Sequence, residues 1–396
     1  MMNSHSSFPI FIHDCGFHSA MGREAAQIHH TLASGQCAHM LRDDEILNTG
    51  TSTIIGRVTE TLPDIPATLA RHDSRNNQLA LSALQQIELS VRSAIERFGA
   101  DRVAVIVGTS TSGISDGEHA YAQKLDHGAF PADYHYRKQE LGNTSEFVAD
   151  YFGISGPCYA ISTACSSSGR VFISAKRMLK AGLVDAVIVG GADTICKLTL
   201  NGFNGLEALS NSLCQPFSAE RSGINIGEAA AFMLLCREPS DIALLGVGDS
   251  SDAHHISAPH PEGVGAFDAM QKALDDAGLT PQDIGYINAH GTATPLNDSM
   301  ESKAIFRLFG DGVPVSSTKP LTGHTLGAAS ATEAAIAWHL LRYDLPLPQQ
   351  RCHNKAQDIE VSLVESDQTL HGKAILSNSF AFGGNNISLI FGYVNA

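Results

Sequence analysis

The chain has 396 residues, 43% of them hydrophobic and 17% charged, a composition that buries a large core and excludes intrinsic disorder. Its 26 basic and 41 acidic residues give a formal charge of -15, which excludes nonspecific binding to nucleic acid or to an anionic membrane. An acidic partner would therefore need a local basic patch. Met1–Phe8 has neither a basic n-region nor a long apolar run, so no signal peptide is expected. The runs Ala186–Val189 and Ala229–Leu235 are too short to span a bilayer, and a cytoplasmic location without a membrane partner is the expectation. Cys15, Cys37, Cys158, Cys165, Cys196, Cys214, Cys236 and Cys352 have no paired spacing, which fits reduced thiols rather than a disulfide framework or zinc site. His29-His30 and His254-His255 lack the spacing of a metal helix, so no metal is expected.

In chain order, short β-prone runs fall at Phe8–His13, Val103–Gly108, Tyr159–Ser162, Ala186–Val189 and Ala229–Cys236. Helical patterns at Arg23–Ser34, Ser74–Phe98, Thr144–Phe152 and Ser168–Ala181 separate them. The second half repeats the plan, with strands at Ile242–Val247, Gly285–Asn288, Pro314–Ser316, Ala374–Ser377 and Ile387–Phe391. Its helices are expected at Gly263–Ala277, Asp298–Phe309 and Gly327–Tyr343. This alternation predicts an α/β fold of two similar halves, 1–239 and 240–396, packed as one unit without a low-complexity linker.

The stretch Thr163-Ala164-Cys165-Ser166-Ser167 joins a predicted strand to a predicted helix. A thiol there meets unpaired N–H groups and the helix dipole, which favour a nucleophilic thiolate; a small buried hydrophobe is the other reading. Three second-half segments offer partners at strand ends: Asn288-Ala289-His290-Gly291-Thr292-Ala293-Thr294-Pro295, then Ser317-Thr318-Lys319-Pro320-Leu321-Thr322-Gly323-His324, then Phe380-Ala381-Phe382-Gly383-Gly384-Asn385. Gly190-Gly191 and Gly246-Val247-Gly248 read as tight turns or close backbone approaches. No glycine fingerprint or phosphate loop for a nucleotide is present.

These phrases, in order and spacing, resemble the β-ketoacyl-acyl carrier protein synthases, the elongating condensing enzymes of fatty acid and polyketide synthesis. The resemblance spans essentially the whole chain and implies the thiolase fold, two βαβαβαββ halves in a five-layered α-β-α-β-α arrangement, normally dimeric. It implies that Cys165, His290, His324 and Lys319 are catalytic, with Lys319 orienting His324 and Glu333 anchoring Lys319. The N–H groups of Cys165 and Phe382 would form an oxyanion hole. Thr292 and Thr294 would bind the pantetheine arm, Asp298 would hold their loop, and Phe382 would gate the site with Phe203 and Phe380 close by and Gly383 in the same loop. No cofactor is implied, since substrates arrive on the phosphopantetheine of an acyl carrier protein.

Departures from the family pattern point to a pathway-specific synthase for a polyketide or polyene-like chain. The gating loop has Ala381 in place of Gly and Asn385 in place of Thr, and Ser166–Arg170 replaces a His-containing stretch. A Cβ at 381 is expected to restrict the loop. Glu207 stands where one branch has a carrier-binding Arg, leaving Arg71, Arg75, Lys124 and Lys138 as candidates for a compensating patch or as solvated charges. A homodimer and a heterodimer with a ketosynthase-like chain-length subunit both fit. A non-catalytic subunit would lack the Cys, and a coenzyme A-dependent thiolase would carry a second catalytic Cys, which Arg351-Cys352-His353-Asn354 does not match.

Overall fold

The computed structural model describes residues 8–372 and 374–394. Five principal strands come from the first half: β1 Ile10–Ser19, β2 Val103–Gly108, β3 Cys158–Ile161, β4 Ala186–Asp193 and β5 Ala229–Cys236. The second half supplies β6 Ile242–Ser251, β7 Ile284–Asn288, β8 Pro314–Ser316, β9 Ala374–Ala381 and β10 Asn385–Tyr393. The spatial orders, β3-β2-β4-β5-β1 and β8-β7-β9-β10-β6, are the same pattern repeated. In each set the first three strands run parallel and the last two pair antiparallel.

Alternation along the strands sends side chains to two different cores. In β5, Ala229, Ala231, Met233 and Leu235 face a central core, whereas Ala230, Phe232, Leu234 and Cys236 face an outer one. The central core also holds Ile387, Leu389 and Phe391 of β10 and the apolar faces of helices Ser167–Lys180 and Ala329–Tyr343. These two helices therefore lie between the strand layers. Helices Arg75–Leu84 and Asn143–Phe152 cover the outer face of the first set, and Val264–Ala277 and Pro295–Phe309 cover that of the second, completing the five layers of the thiolase fold.

Some expectations need correction. β1 runs on to Ser19, past a bulge between Ile12 and Asp14, because β5 continues to pair with it. The expected helix Ser74–Phe98 is two helices, Arg75–Leu84 and Glu88–Phe98. Between them the Gln86 side chain accepts from the Phe17 N–H (3.1 Å) and donates to its carbonyl (2.9 Å). The two strand sets also join at one end: Ile10–Ile12 of β1 pair with Ile242–Leu244 of β6, making one eleven-stranded sheet. Gly190, Gly191, Gly246 and Gly248 sit within strands rather than at turns.

The helix that follows Cys165 is seated by absent side chains. A Cβ on Gly108 would lie 2.2 Å from the Ser168 nitrogen, and one on Gly191 would lie 2.9 Å from the Ser168 Cβ. Backbone cannot yield as a flexible side chain does. Gly108→Ala is therefore expected to destabilise the fold by about 1–3 kcal/mol, read as a lower urea midpoint; an unchanged midpoint would contradict this packing.

Candidate active site

The first half delivers a sharp turn. After β3 the chain passes through Ala164, which takes a left-handed φ of 54°, before Cys165 and the helix beginning at Ser167. A non-glycine residue at positive φ stores strain, and local hydrogen bonds hold it. The Thr163 N–H donates to Ser167 Oγ (2.8 Å), and the hydroxyls of Ser167 and Ser166 donate to the carbonyls of Ala164 (2.5 Å) and Thr163 (2.8 Å). The second half locks on directly. Ser330 Oγ donates to the Cys165 carbonyl (3.3 Å), and the Ala331 N–H donates to Ser168 Oγ (2.9 Å).

The second half brings His290 from the end of β7 and Lys319 and His324 from the segment after β8, all buried. Lys319 Nζ lies 2.5 Å from Glu333 Oε1, and Glu333 Oε2 accepts from Ser379 Oγ (3.1 Å). The same ammonium is 3.5 Å from His290 Nδ1, so it orients His290 rather than His324. His324 Nδ1 instead accepts from the Leu326 N–H at 3.0 Å. Burial, reinforced by Lys319, pushes both imidazoles well below their ordinary pKa. Both rings are thus neutral with Nδ1 occupied as an acceptor, which leaves the hydrogen on Nε2. Their centroids are 5.4 Å apart at 88°.

Cys165 Sγ and one ring nitrogen from each histidine lie within 4.8 Å of one another. That spacing resembles a metal site. The donor chemistry does not fit one, because a protonated Nε2 offers no lone pair and freeing one would break the Nδ1 hydrogen bonds. The thiol also differs from the expectation of a helix-end thiolate: burial pushes Cys165 up to about 11, against the downward pull of Lys319 and of the Cys165 and Phe382 N–H groups.

A cavity of about 300 Å³ opens onto these groups. Its walls include Cys165, His290, His324, Phe203, Thr292, Thr294, Phe380 and Phe382. The Phe203 and Phe382 rings are 5.8 Å apart, and the Phe380 ring is 6.3 Å from His290. Thr292 and Thr294 hydroxyls share a hydrogen bond of 2.9 Å. Asp298 accepts from the N–H groups of Ala293 (3.2 Å) and Phe217 (2.8 Å), both at positive φ, and burial raises its pKa to about 6. Ala381 is ordinary extended backbone at φ -99°, so its Cβ imposes no strain in this conformation; the left-handed residues of the gate are Gly383 and Gly384.

Two buried carboxylates that hold the loops around the site escaped the sequence reading. Glu301 accepts from the N–H groups of His290 and Gly291, both at 2.7 Å, and burial raises it to about 7. Asp193 accepts from Thr109, Ser110 and Thr111 of the first half and from the Ala328 N–H of the second at 2.9 Å. The only sequence signal for Glu301 was an acid one turn beyond Asp298 on the helix that follows the His290 loop. Among the docking candidates, Arg71 pairs with Asp150, Arg75 pairs with Glu228, and Lys138 is buried. Lys124 alone of the four is exposed and makes no ion pair among the described residues, lying 4.5 Å above the Phe130 ring. Glu207 is exposed at the cavity wall.

Two sequence profiles match the chain: "Beta-ketoacyl synthase, N-terminal domain" at residues 49–240 and "Beta-ketoacyl synthase, C-terminal domain" at residues 243–353. The chain belongs to the β-ketoacyl synthase family. The 3-oxoacyl-[acyl-carrier-protein] synthase 2 of Staphylococcus aureus (strain COL) is 33% identical over 342 residues, covering 81% of this chain and 82% of the relative. A chain of the solved ketosynthase (ApeO) in complex with its chain length factor (ApeC) from Xenorhabdus doucetiae is 50% identical. It superposes with a TM-score of 0.94 and covers 98% of both chains. The ishigamide ketosynthase/chain length factor matches with a TM-score of 0.86 at 25% identity, covering 98% of this chain and 100% of that one. No helix among the described residues is long and apolar enough to cross a membrane.

With the thiol pushed up to about 11, its thiolate fraction grows with pH throughout the neutral range. Alkylation of Cys165 by iodoacetamide should therefore accelerate about tenfold per pH unit from roughly pH 6 to 9 without a plateau. A rate that levels off near neutrality would mean that the helix end outweighs burial.

Proposed function

We propose that the chain catalyses decarboxylative condensation, with Cys165 as the acyl-carrying nucleophile. The observation that carries this reading is one cavity in which a buried thiol meets two neutral imidazoles with Nε2–H directed by fixed tautomers. In the first half-reaction the sulfur attacks the thioester carbonyl of a carrier-bound acyl chain. Cys165 gives up its proton, the carrier thiolate leaves and takes a proton, and an acyl-enzyme remains. The N–H groups of Cys165 and Phe382, which already lie against the sulfur, suit the oxyanion.

In the second half-reaction the malonyl carboxylate leaves as carbon dioxide, and the electron pair passes to the thioester as an enolate. The Nε2–H donors of His290 and His324 stabilise its oxygen, and because they are neutral they donate without protonating the carbon that must react. That carbon attacks the acyl-Cys165 carbonyl, and collapse of the adduct releases the sulfur and a chain longer by two carbons. Lys319, held by Glu333, adds to burial in keeping the imidazoles neutral. Thr292 and Thr294 suit the pantetheine arm, with their loop held by Asp298. Phe382 suits a gate, with Phe203, Phe380, Ala381 and Gly383 around it. The halves would divide at Pro239/Ser240, one residue before the first matched profile ends.

The partners in this reading are an acyl carrier protein and a second ketosynthase-like chain. The similarity to ketosynthases solved with chain length factors supports a heterodimer and a pathway-specific polyketide or polyene-like substrate over a homodimer of a housekeeping enzyme. The edge strand β3 fits the partner contact: it ends the sheet, its Cys158 and Tyr159 are exposed, and an open edge invites strand addition. The Cys165, His290, Lys319 and His324 set argues against a non-catalytic subunit.

Cys165→Ala is expected to abolish condensation and the acyl adduct seen by mass spectrometry while malonyl decarboxylation persists. His290→Ala or His324→Ala should slow that decarboxylation about a hundredfold or more. Intact condensation in Cys165→Ala would overturn the assignment. In elongation assays, a clear preference for saturated chains on a housekeeping carrier over hydroxy or polyenoyl thioesters would overturn the pathway-specific reading.

A further inference from the structure

The two N–H groups assigned to the oxyanion come from different parts of the fold. Cys165 precedes the Ser167–Lys180 helix, whereas Phe382 sits at the tip of the hairpin between β9 and β10, whose ends pair through Ala381 and Asn385. Gly383 and Gly384, at φ 78° and 75°, give that tip its freedom. Beyond the ring contact of Phe382, the tip's backbone bonds run to the 252–256 segment: the Gly383 N–H donates to the Ile256 carbonyl (2.9 Å), and the Asp252 N–H donates to that of Gly384 (2.8 Å). Ile256 is 80% exposed, so this side is a weak fixture. The spacing of the two N–H groups needs a link from helix to hairpin.

Apolar packing joins the two, with the Phe172 and Phe391 rings 5.9 Å apart, and one polar side chain adds a direct bond nearer the tip. Arg170, in the first turn of the helix with its N–H on the Ser166 carbonyl, extends its guanidinium to the base of the hairpin. Nη1 donates to Asp249 Oδ2 at 2.7 Å, and Nη2 donates to Asn385 Oδ1 at 3.3 Å and to the Ser250 carbonyl at 3.4 Å. A planar fork held at Asp249 and Ser250 of β6 has little freedom left, and its Nη2 adds a side-chain hold on Asn385, whose backbone is paired with Ala381 and Ser251.

We propose that the Arg170–Asn385 contact is a positioning device that sets the Phe382 N–H against the Cys165 thiol. It acts on acyl transfer through Phe382 and not on the reactivity of the sulfur itself. The proposal rests on the assignment of Cys165 as nucleophile and Phe382 as oxyanion donor.

The test uses Asn385→Leu, which keeps the side-chain shape without the acceptor, and Asn385→Asp, which keeps the acceptor. The rate of Cys165 acylation by an acyl-carrier thioester is followed by mass spectrometry, with iodoacetamide alkylation measured in parallel. Alkylation needs the thiol but no oxyanion donor. Asn385→Leu should slow acylation about tenfold with the KM for acyl-carrier unchanged and alkylation as in the wild type, and Asn385→Asp should restore acylation to within about twofold. Arg170→Gln combined with Asn385→Leu should be no slower than the worse single variant. Wild-type acylation in Asn385→Leu, parallel loss of acylation and alkylation, or additive losses would each overturn the proposal. A wild-type chain that takes no acyl group at all would instead defeat the underlying assignment.

Discussion

The chemistry of the site depends on one ion pair, Lys319 with Glu333, both buried at 3% side-chain exposure. Two charges out of water are stable only when paired and hydrogen-bonded, and leaving one alone costs about 3–5 kcal/mol. The pair meets that condition, since Glu333 also accepts from Ser379 and the ammonium also lies against His290 Nδ1. What the pair adds is direction. Burial disfavours protonating either histidine, and the fixed positive charge beside them adds to this, so two residues that elsewhere titrate near neutrality stay neutral. The same charge is the chief force opposing the rise of the Cys165 pKa.

That arrangement needs the two halves held in register, because the nucleophile belongs to one and its donors to the other. Asp193 supplies a fixed point. Its buried carboxylate gathers the loop after β2 and, through Ala328, the segment that follows His324. Ser330 and Ala331 add direct bonds to the nucleophile turn. The dry helix pair between the strand layers thus positions catalytic groups as well as filling the core.

How much of this was legible in the sequence follows from the range of each interaction. Strand alternation and turn residues are local, so most of the ten principal strands were located to within a few residues. β1 and the broken helix were not, because a bulge and the distant Gln86 side chain decide them. The segments the motifs mark do meet: Cys165, His290, His324 and the 380–384 loop line one cavity, and Lys319 lies behind it against His290. The motifs did not reveal which histidine meets Lys319, since that depends on where β7 and the post-β8 segment stand relative to each other. Nor did they distinguish Asp193 and Glu301 from surface acids. A carboxylate that satisfies backbone N–H groups distant in sequence leaves no periodic signal.

The same division of range separates what makes the chain a condensing enzyme from what makes it a particular one. The thiol, the imidazoles and the ion pair are matched to a reaction that is the same for every acyl chain. Selectivity must come from groups that touch the chain or set when it enters. Ala381 loses its first claim to that role, because its backbone is ordinary extended structure and the flexible positions are the two glycines beyond it. Glu207 keeps a claim by lying exposed at the cavity wall. Arg170 and Asn385 acquire one from their contact, since one donates to the other between the Ser167–Lys180 helix and the 380–385 loop. Selectivity therefore falls to groups that line the cavity or bear on the 380–385 loop, around the buried thiol, imidazoles and ion pair.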